Sequence, residues 1–223
     1  MIITIDGPAA AGKGTLAQKI AETYNLAYFD TGMIYRAVGL KLLLDDKQPE
    51  DEDAALKIAQ QLTFPQIMNL AQHPDFRSSA GGAAASKVSA IPSVREALLK
   101  MQRDFAVNPQ FGDGRAAAGA VYDGRDTGTV ICPQAEVKLF ITASPEVRAM
   151  RRYKQFQQKG DPTTYEEVLA QTKERDARDS SRSSAPMKPA DDAVIIDTSD
   201  MSINDVYEKA QEIIEAKKKT LEK

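Results

Sequence analysis

A parallel α/β sheet of five strands flanked by helices is the fold class this sequence predicts. Three observations carry it. Short β-branched runs such as Ile2-Ile3-Thr4-Ile5 show no amphipathic alternation, as strands buried on both faces do. The first three of these runs end in polar, glycine-bearing turns, and the segments between strands carry apolar or small residues at helical spacing. With 42% apolar content, 223 residues fill the core of one domain and leave room for inserted flaps.

The first strand ends at Asp6-Gly7-Pro8 and is followed by a helix from Lys13 to Tyr24, in which Leu16, Ala17, Ile20 and Ala21 share a face and Asn25 is the stop. Ala27-Tyr28-Phe29 is a second strand, leading through Asp30-Thr31-Gly32 into a helix containing Tyr35, Val38 and Leu42. Asp51 caps a helix from Glu52 to about Leu62, whereas Phe64 to Phe76 shows no clear period and receives no assignment. Ser79 to Ala90 reads as an alanine-rich helix, and Pro92 sits in the first turn of a longer one reaching Val107. A glycine-rich loop from Asn108 to Ala118 precedes a third strand, Ala120-Val121-Tyr122, which ends in Asp123-Gly124-Arg125-Asp126. Val137 to Thr142 is the fourth strand. Ser144-Pro145-Glu146 starts a helix to about Gln158, and Thr163 with Glu166 has the spacing of a capping box for the next. Ala193 to Asp197 is the fifth strand, and a charged helix closes the chain. Ligands of parallel sheets lie at the carboxyl ends of the strands, so the turns after strands one, two and three are expected to form one site.

A net charge of −3 argues against a protein that coats nucleic acid, where net positive charge supplies most of the affinity. The single cysteine, Cys132, cannot form an internal disulfide, and the single histidine, His73, excludes metal sites built on His/Cys clusters. No window approaches the roughly 20 apolar residues of a membrane span, and the N-terminus lacks a basic and apolar leader. The expectation is a soluble, unprocessed, reduced cytoplasmic protein, monomeric by default, with no nucleic-acid or membrane partner.

Gly7-Pro8-Ala9-Ala10-Ala11-Gly12-Lys13-Gly14-Thr15 has the spacing of a phosphate-binding loop, in which backbone N–H groups and a helix N-terminus surround phosphates and Lys13 adds a positive charge. A chance glycine turn would also have to supply the buried strand before it and the helix after it. The strict pattern places Ser or Thr directly after the lysine. Here Gly14 intervenes, and Thr15 is the hydroxyl assigned to the Mg²⁺ environment.

The Gly-Lys-Gly-Thr form resembles nucleoside monophosphate kinases. Ile-Asp-Gly-Pro at 5–8, Asp-Thr-Gly-Met-Ile-Tyr-Arg at 30–36, Val-Arg-Glu-Ala-Leu-Leu at 94–99, Asp-Gly-Arg-Asp-Thr-Gly-Thr-Val at 123–130 and Lys-Glu-Arg-Asp-Ala-Arg-Asp at 173–179 narrow the resemblance to bacterial cytidylate kinases over nearly the whole chain. The departure is Phe64 to Phe76, where many members carry a longer insertion. The resemblance implies one phosphate-loop kinase domain over 1–223, with an insertion binding the nucleoside monophosphate at about 32–107 and an arginine-rich lid at about 148–182. It implies that ATP is held by Gly7, Ala9, Ala10, Ala11, Gly12, Lys13, Gly14 and Thr15, and that its γ-phosphoryl passes to CMP or dCMP. Arg36 and Arg125 would hold the acceptor phosphate; Thr31, Arg95, Asp126 and Arg182 would choose the base; and Ser86, Arg175 and Asp179 would face the sugar. A carboxylate such as Asp126 physically favours the exocyclic amine of cytosine over the carbonyl of uracil. By analogy with the acidic residue at that place in other phosphate-loop enzymes, Asp123 is the candidate for the water shell of Mg²⁺.

Arg148, Arg151 and Arg152 lie at i, i+3, i+4, and Arg175, Arg178 and Arg182 at i, i+3, i+7, each set along one helix face. A charge run by itself reads as a solvated face. With the resemblance, Arg148, Arg152 and Arg178 become arms of the lid, Arg151 less so, and Lys13, Arg125 and these three form the catalytic set. The rivals are a kinase for another acceptor, such as UMP, AMP or a small metabolite, and a phosphate-loop protein that binds nucleotide as a regulator without transfer. No Asn-Lys-x-Asp guanine-reading motif is present. Asp30-Thr31-Gly32 is also the signature of aspartic proteases, but those need two copies. His73 reads as a loop residue, and Cys132 lacks a histidine partner for nucleophilic work.

Overall fold

The computed structural model describes residues 1–158 and 160–221. The elements follow in the order β1 (Ile2–Asp6), α1 (Lys13–Tyr24), β2 (Ala27–Asp30), α2 (Gly32–Leu44), α3 (Glu52–Gln61), α4 (Phe64–Leu70), α5 (Ser79–Val88), α6 (Pro92–Val107), β3 (Ala120–Asp123), β4 (Val137–Thr142), α7 (Pro145–Gln158), α8 (Tyr165–Ser181), β5 (Val194–Asp197) and α9 (Ile203–Leu221). They fall into two compact units, one formed by residues 1–29, 108–181 and 185 onward, the other by 30–107 with 182–184.

The first unit is built on the five-stranded sheet, in the order β2-β3-β1-β4-β5. β1 runs parallel to both neighbours, Ile3 facing Val121 on one side and Val137 on the other. Its side chains from Ile3 to Ile5 are fully buried, which is why the run shows no alternation. Leu16, Ala17 and Ile20 of α1 and Val206, Ala210 and Ile214 of α9 pack into the same core. Asn25 ends α1 at φ +51, its N–H bonded to the carbonyl of Ala21, as the sequence predicts. Because β1 is flanked by β3 and β4, the chain winds away from it in two directions, and the crevice above its carboxyl end is the place such sheets keep their ligands.

α7 and α8 enclose a separate small core of Ala149, Phe156 and Val168, with Tyr153, Tyr165 and Leu169 around it. The cap of α8 is one residue later than the spacing suggests: Glu167 accepts from the N–H of Thr164 at 2.8 Å, and Thr164 Oγ1 accepts from Glu167 N at 3.3 Å. The Thr163 N–H donates to Asp161 Oδ1 at 3.0 Å, in the turn before the helix.

In the second unit α2 and α5 approach backbone to backbone. A Cβ on Gly39 would stand 3.0 Å from the carbonyl carbon of Ala84, so small residues on both helices are a packing requirement. Asp51 caps α3 through Ala54 N at 3.0 Å, as expected. The segment that the sequence left unassigned forms α4, started by a reciprocal cap between Thr63 and Gln66 with proline in the first turn, and then a 3₁₀ turn over Pro74–Arg77. Seven residues make fewer than two turns, too few to display a period. Among the described residues no helix is long and apolar enough to cross a membrane.

Candidate active site

The loop from Gly7 to Gly12 leaves the buried end of β1. At Gly7, φ is +139 and a Cβ would lie 1.9 Å from the carbonyl oxygen of Ile141, so only glycine passes beneath β4. Gly12, at φ +96, opens α1, whose first turn carries no acidic side chain. The free N–H groups of that turn and the helix dipole suit an anion. Lys13 is buried. Its Nζ donates to the carbonyl of Pro8 at 3.0 Å and stands 3.7 Å from Asp123 Oδ1. Burial, aided by the guanidinium groups of Arg125 and Arg175 against the pull of Asp123, lowers its pKa to about 8.

Three cations therefore converge at the loop, and two of them are tethered to one acid. Arg125 Nε donates to Asp179 Oδ2 at 3.2 Å and its Nη1 to the carbonyl of Gly124 at 3.0 Å, while Arg175 Nε is 3.7 Å from the same carboxylate oxygen. Asp179 is itself almost fully buried. Lys13 is buried and the two guanidinium groups are partly exposed beside it, and a phosphate is the kind of anion that such a grouping of donors holds.

The residues proposed for the lid have different surroundings. Arg148 is buried, donating to Asp176, to the carbonyl of Ala143 at 2.8 Å and to that of Ala9 in the phosphate loop at 3.3 Å. Arg152 lies over the ring of Phe156, 4.5 Å from its centroid, and burial lowers its pKa. Arg178 pairs with Glu174 on its own helix. Arg151 instead binds Thr198 at the end of β5, through Oγ1 at 3.1 Å and the carbonyl at 2.7 Å. Thr198 Oγ1 in turn donates to the carbonyl of Ala11, 3.2 Å away, so Arg151 braces the loop from below.

After β3 the chain turns through Arg125 and Asp126 into a π-helical turn, Thr127–Ile131, where the carbonyl of Asp126 accepts from Val130 N at 2.9 Å and Ile131 N at 3.3 Å. Asp6, the last residue of β1, reaches this turn. Its Oδ1 accepts from the N–H and the hydroxyl of Thr127, each at 2.8 Å, and its Oδ2 from the N–H of Gly128 at 2.7 Å. Burial nevertheless raises its pKa to about 6, with the charge of Asp126 adding to the effect. Sequence reasoning did not single out Asp6; its place at the mouth of a buried strand, directly before the glycine loop, was the available sign.

The second unit holds Thr31, Arg36, Ser86, Arg95 and Arg182. Thr31 precedes α2, where Asp30 Oδ1 accepts from Gly32 N at 2.9 Å. Arg36 Nη1 donates to the carbonyl of Phe76 at 3.0 Å. Arg95 lies over Tyr35, 5.3 Å from the ring centroid, and donates to the carbonyl of Ser89 at 3.2 Å. Ser86, Arg95 and Arg182 are buried. His73 serves as a turn acceptor for Asp75 N, and Cys132 is a buried free thiol.

The hydroxyl of Thr15 is exposed in the first turn of α1, and the carboxylate of Asp123 ends β3 beside Lys13. Among the described residues no three His, Cys, Asp or Glu side chains converge on a common metal site. Two hard oxygen donors beside a phosphate loop fit Mg²⁺, which keeps several waters and takes its other ligands from phosphate.

Comparison with known proteins places this architecture. One solved structure, an uncharacterized protein from Eubacterium ventriosum, superposes with a TM-score of 0.51 over 97% of this chain and 98% of its own at 14% identity, a likeness of fold. A cytidylate kinase of Caulobacter sp. (strain K31) is 47% identical across 96% of this chain and 94% of its own length, and that of Rhodospirillum rubrum is 49% identical across 96% and 97%. The sequence model for cytidylate kinase matches residues 3–216, from the buried strand that launches the phosphate loop into the C-terminal helix, and the chain belongs to the cytidylate kinase family.

Proposed function

We propose that this protein transfers the γ-phosphoryl group of MgATP to CMP or dCMP, forming CDP or dCDP and ADP. The observation that carries the reading is the meeting of Lys13, Arg125 and Arg175 at the phosphate loop, in a member of this family. Phosphoryl transfer between two polyanions requires alignment and positive charge more than a strong base. An oxygen of the acceptor phosphate attacks the γ-phosphorus, and the bond to the bridging oxygen of the departing ADP breaks.

In this reading Gly7, the N–H groups of Ala9 to Thr15 and the ammonium of Lys13 hold the donor phosphates. Arg36 and Arg125 hold the acceptor phosphate, exchanging the partners they have here for a two-point phosphate contact. Thr31, Arg95, Asp126 and Arg182 read the base, and Ser86, Arg175 and Asp179 face the sugar. Arg148, Arg152 and Arg178 belong to a lid over about 148–182 that brings positive charge to the transferring group and excludes water, with the insertion at about 32–107 carrying the acceptor. Bound Mg²⁺ would neutralise charge across the phosphates, held by Thr15 and, through water, by Asp123. The protein acts as a cytoplasmic monomer.

The test is ADP formation from MgATP with CMP, dCMP, UMP, AMP, GMP and no acceptor in parallel. Turnover with CMP and dCMP alone is the expected result. Preference for another monophosphate would keep the kinase and discard the base-reading assignment; turnover independent of acceptor would overturn both.

A further inference from the structure

We infer that Asp6 is a positioning residue for acceptor recognition: its carboxylate clasps the N-terminus of the π-helical turn and thereby fixes Arg125 and Asp126 relative to the phosphate loop. The inference rests on the assignment of Arg125 and Asp126 to the acceptor.

The geometry is that of a built clasp. The first N–H groups of a helical turn have no partner within it, and those of Thr127 and Gly128 are both taken by Asp6, with the Thr127 hydroxyl as a third donor. Gly128 also lies close against β1: a Cβ there would stand 2.8 Å from Thr4 Oγ1, while Asp6 Oδ2 would be at an ordinary contact distance of 3.4 Å. Asp126 immediately precedes the clasped residues, and its carbonyl is fixed from the other side by Val130 and Ile131. Gly7 immediately follows Asp6. One carboxylate thus ties the loop assigned to the donor phosphates to the turn assigned to the acceptor, across 121 positions of sequence.

Stability alone does not explain an acid at this place. Its raised pKa means that the ionised form is disfavoured by burial even with three donors in hand, so the carboxylate is maintained against a cost. What it contributes is register. In-line transfer is sensitive to placement, and a 1 Å error far from the reacting atoms can cost on the order of 100-fold in rate.

The experiment compares Asp6→Asn, Thr127→Val and Gly128→Ala with wild type, measuring KM and kcat for CMP and UMP and the dissociation constant of ATP. Asp6→Asn retains the shape but presents an amide N–H₂ to a backbone donor. The expected result is a rise in KM for CMP of roughly tenfold or more and a narrowed CMP-to-UMP preference, with ATP affinity within about twofold of wild type. Gly128→Ala should give the same pattern from the other side of the clasp, and Thr127→Val a milder one. If Asp6→Asn does not fold, the two loop variants decide the question. Folded variants with unchanged KM for CMP and unchanged preference, or with kcat lowered equally for every acceptor at constant KM, would overturn the clasp. Arg125→Ala and Asp126→Ala in the same assay separate the two levels: if these also leave acceptor kinetics untouched, the acceptor assignment itself is wrong.

Discussion

Arg148 on α7 and Asp176 on α8 are joined by two parallel hydrogen bonds, Nη1 to Oδ1 at 3.0 Å and Nη2 to Oδ2, with the arginine only 3% and the aspartate 21% exposed. The two partners are therefore not equivalent. Asp176→Ala leaves a buried guanidinium without its counter-charge, with only the carbonyls of Ala143 and Ala9 to accept from it, and is expected to lower stability by about 3 kcal/mol. Arg148→Met leaves the more hydrated carboxylate behind and is expected to cost distinctly less. Urea unfolding of both variants checks the asymmetry; equal losses would count against it.

Arg36→Ala is expected to weaken use of CMP while leaving ATP binding measurable, because its proposed role is confined to the acceptor phosphate. Lys13→Ala is expected to lower kcat roughly 100- to 1,000-fold with every acceptor. Steady-state kinetics with ATP and CMP varied separately distinguishes the two. A kinetically silent Arg36→Ala would show that the acceptor phosphate lies elsewhere.

Replacing Asp126 by alanine removes the carboxylate assigned to the exocyclic amine of cytosine. The preference for CMP over UMP should fall by about 1 to 3 kcal/mol, roughly ten- to a hundredfold, with little effect on ATP affinity. The ratio of kcat/KM for the two acceptors is the readout, and an unchanged ratio rejects the role.

Asp6 gives a pH dependence opposite to that of a salt-bridged aspartate. Its pKa rises from 3.8 in the unfolded chain to about 6 in the folded protein, so the folded state prefers the protonated form. Its contribution to stability is fully present below pH 4 and is withdrawn as pH climbs through 6, by about 3 kcal/mol in all. The stability of wild type minus that of Asp6→Asn should therefore fall between pH 4 and pH 7, measured by urea unfolding at each pH. A difference that rises over this interval would contradict the assignment.

The strands and the turns at their ends were legible in the sequence because a buried parallel strand leaves a β-branched run, and glycine is forced where the chain passes under β4 at Gly7. Helix caps were legible only where one pattern stood alone. Asp51 did; Thr163 and Thr164 each have a glutamate three residues on, and only the geometry of the Asp161 turn decides between them. α4 was hidden by its shortness. The resemblance offered candidate residues for the site, but their present partners, such as Asp179 for Arg125 and Asp176 for Arg148, join positions far apart in the chain that no local pattern connects. The reach of Asp6 to Thr127 is hidden for the same reason.

Gly14, which breaks the strict phosphate-loop pattern, lies against Asp123: a Cβ there would come within 3.2 Å of Asp123 Oδ2 and 3.7 Å of the Tyr28 hydroxyl. The residue after the lysine and the acid at the end of β3 thus compete for one volume. A side chain at 14 asks the Asp123 carboxylate to give way by a few tenths of an ångström, so serine at 14 is felt first by the acid that stands 3.7 Å from Lys13. Comparing Gly14→Ser alone with Gly14→Ser joined to Asp123→Ser would make that interdependence visible as a non-additive loss.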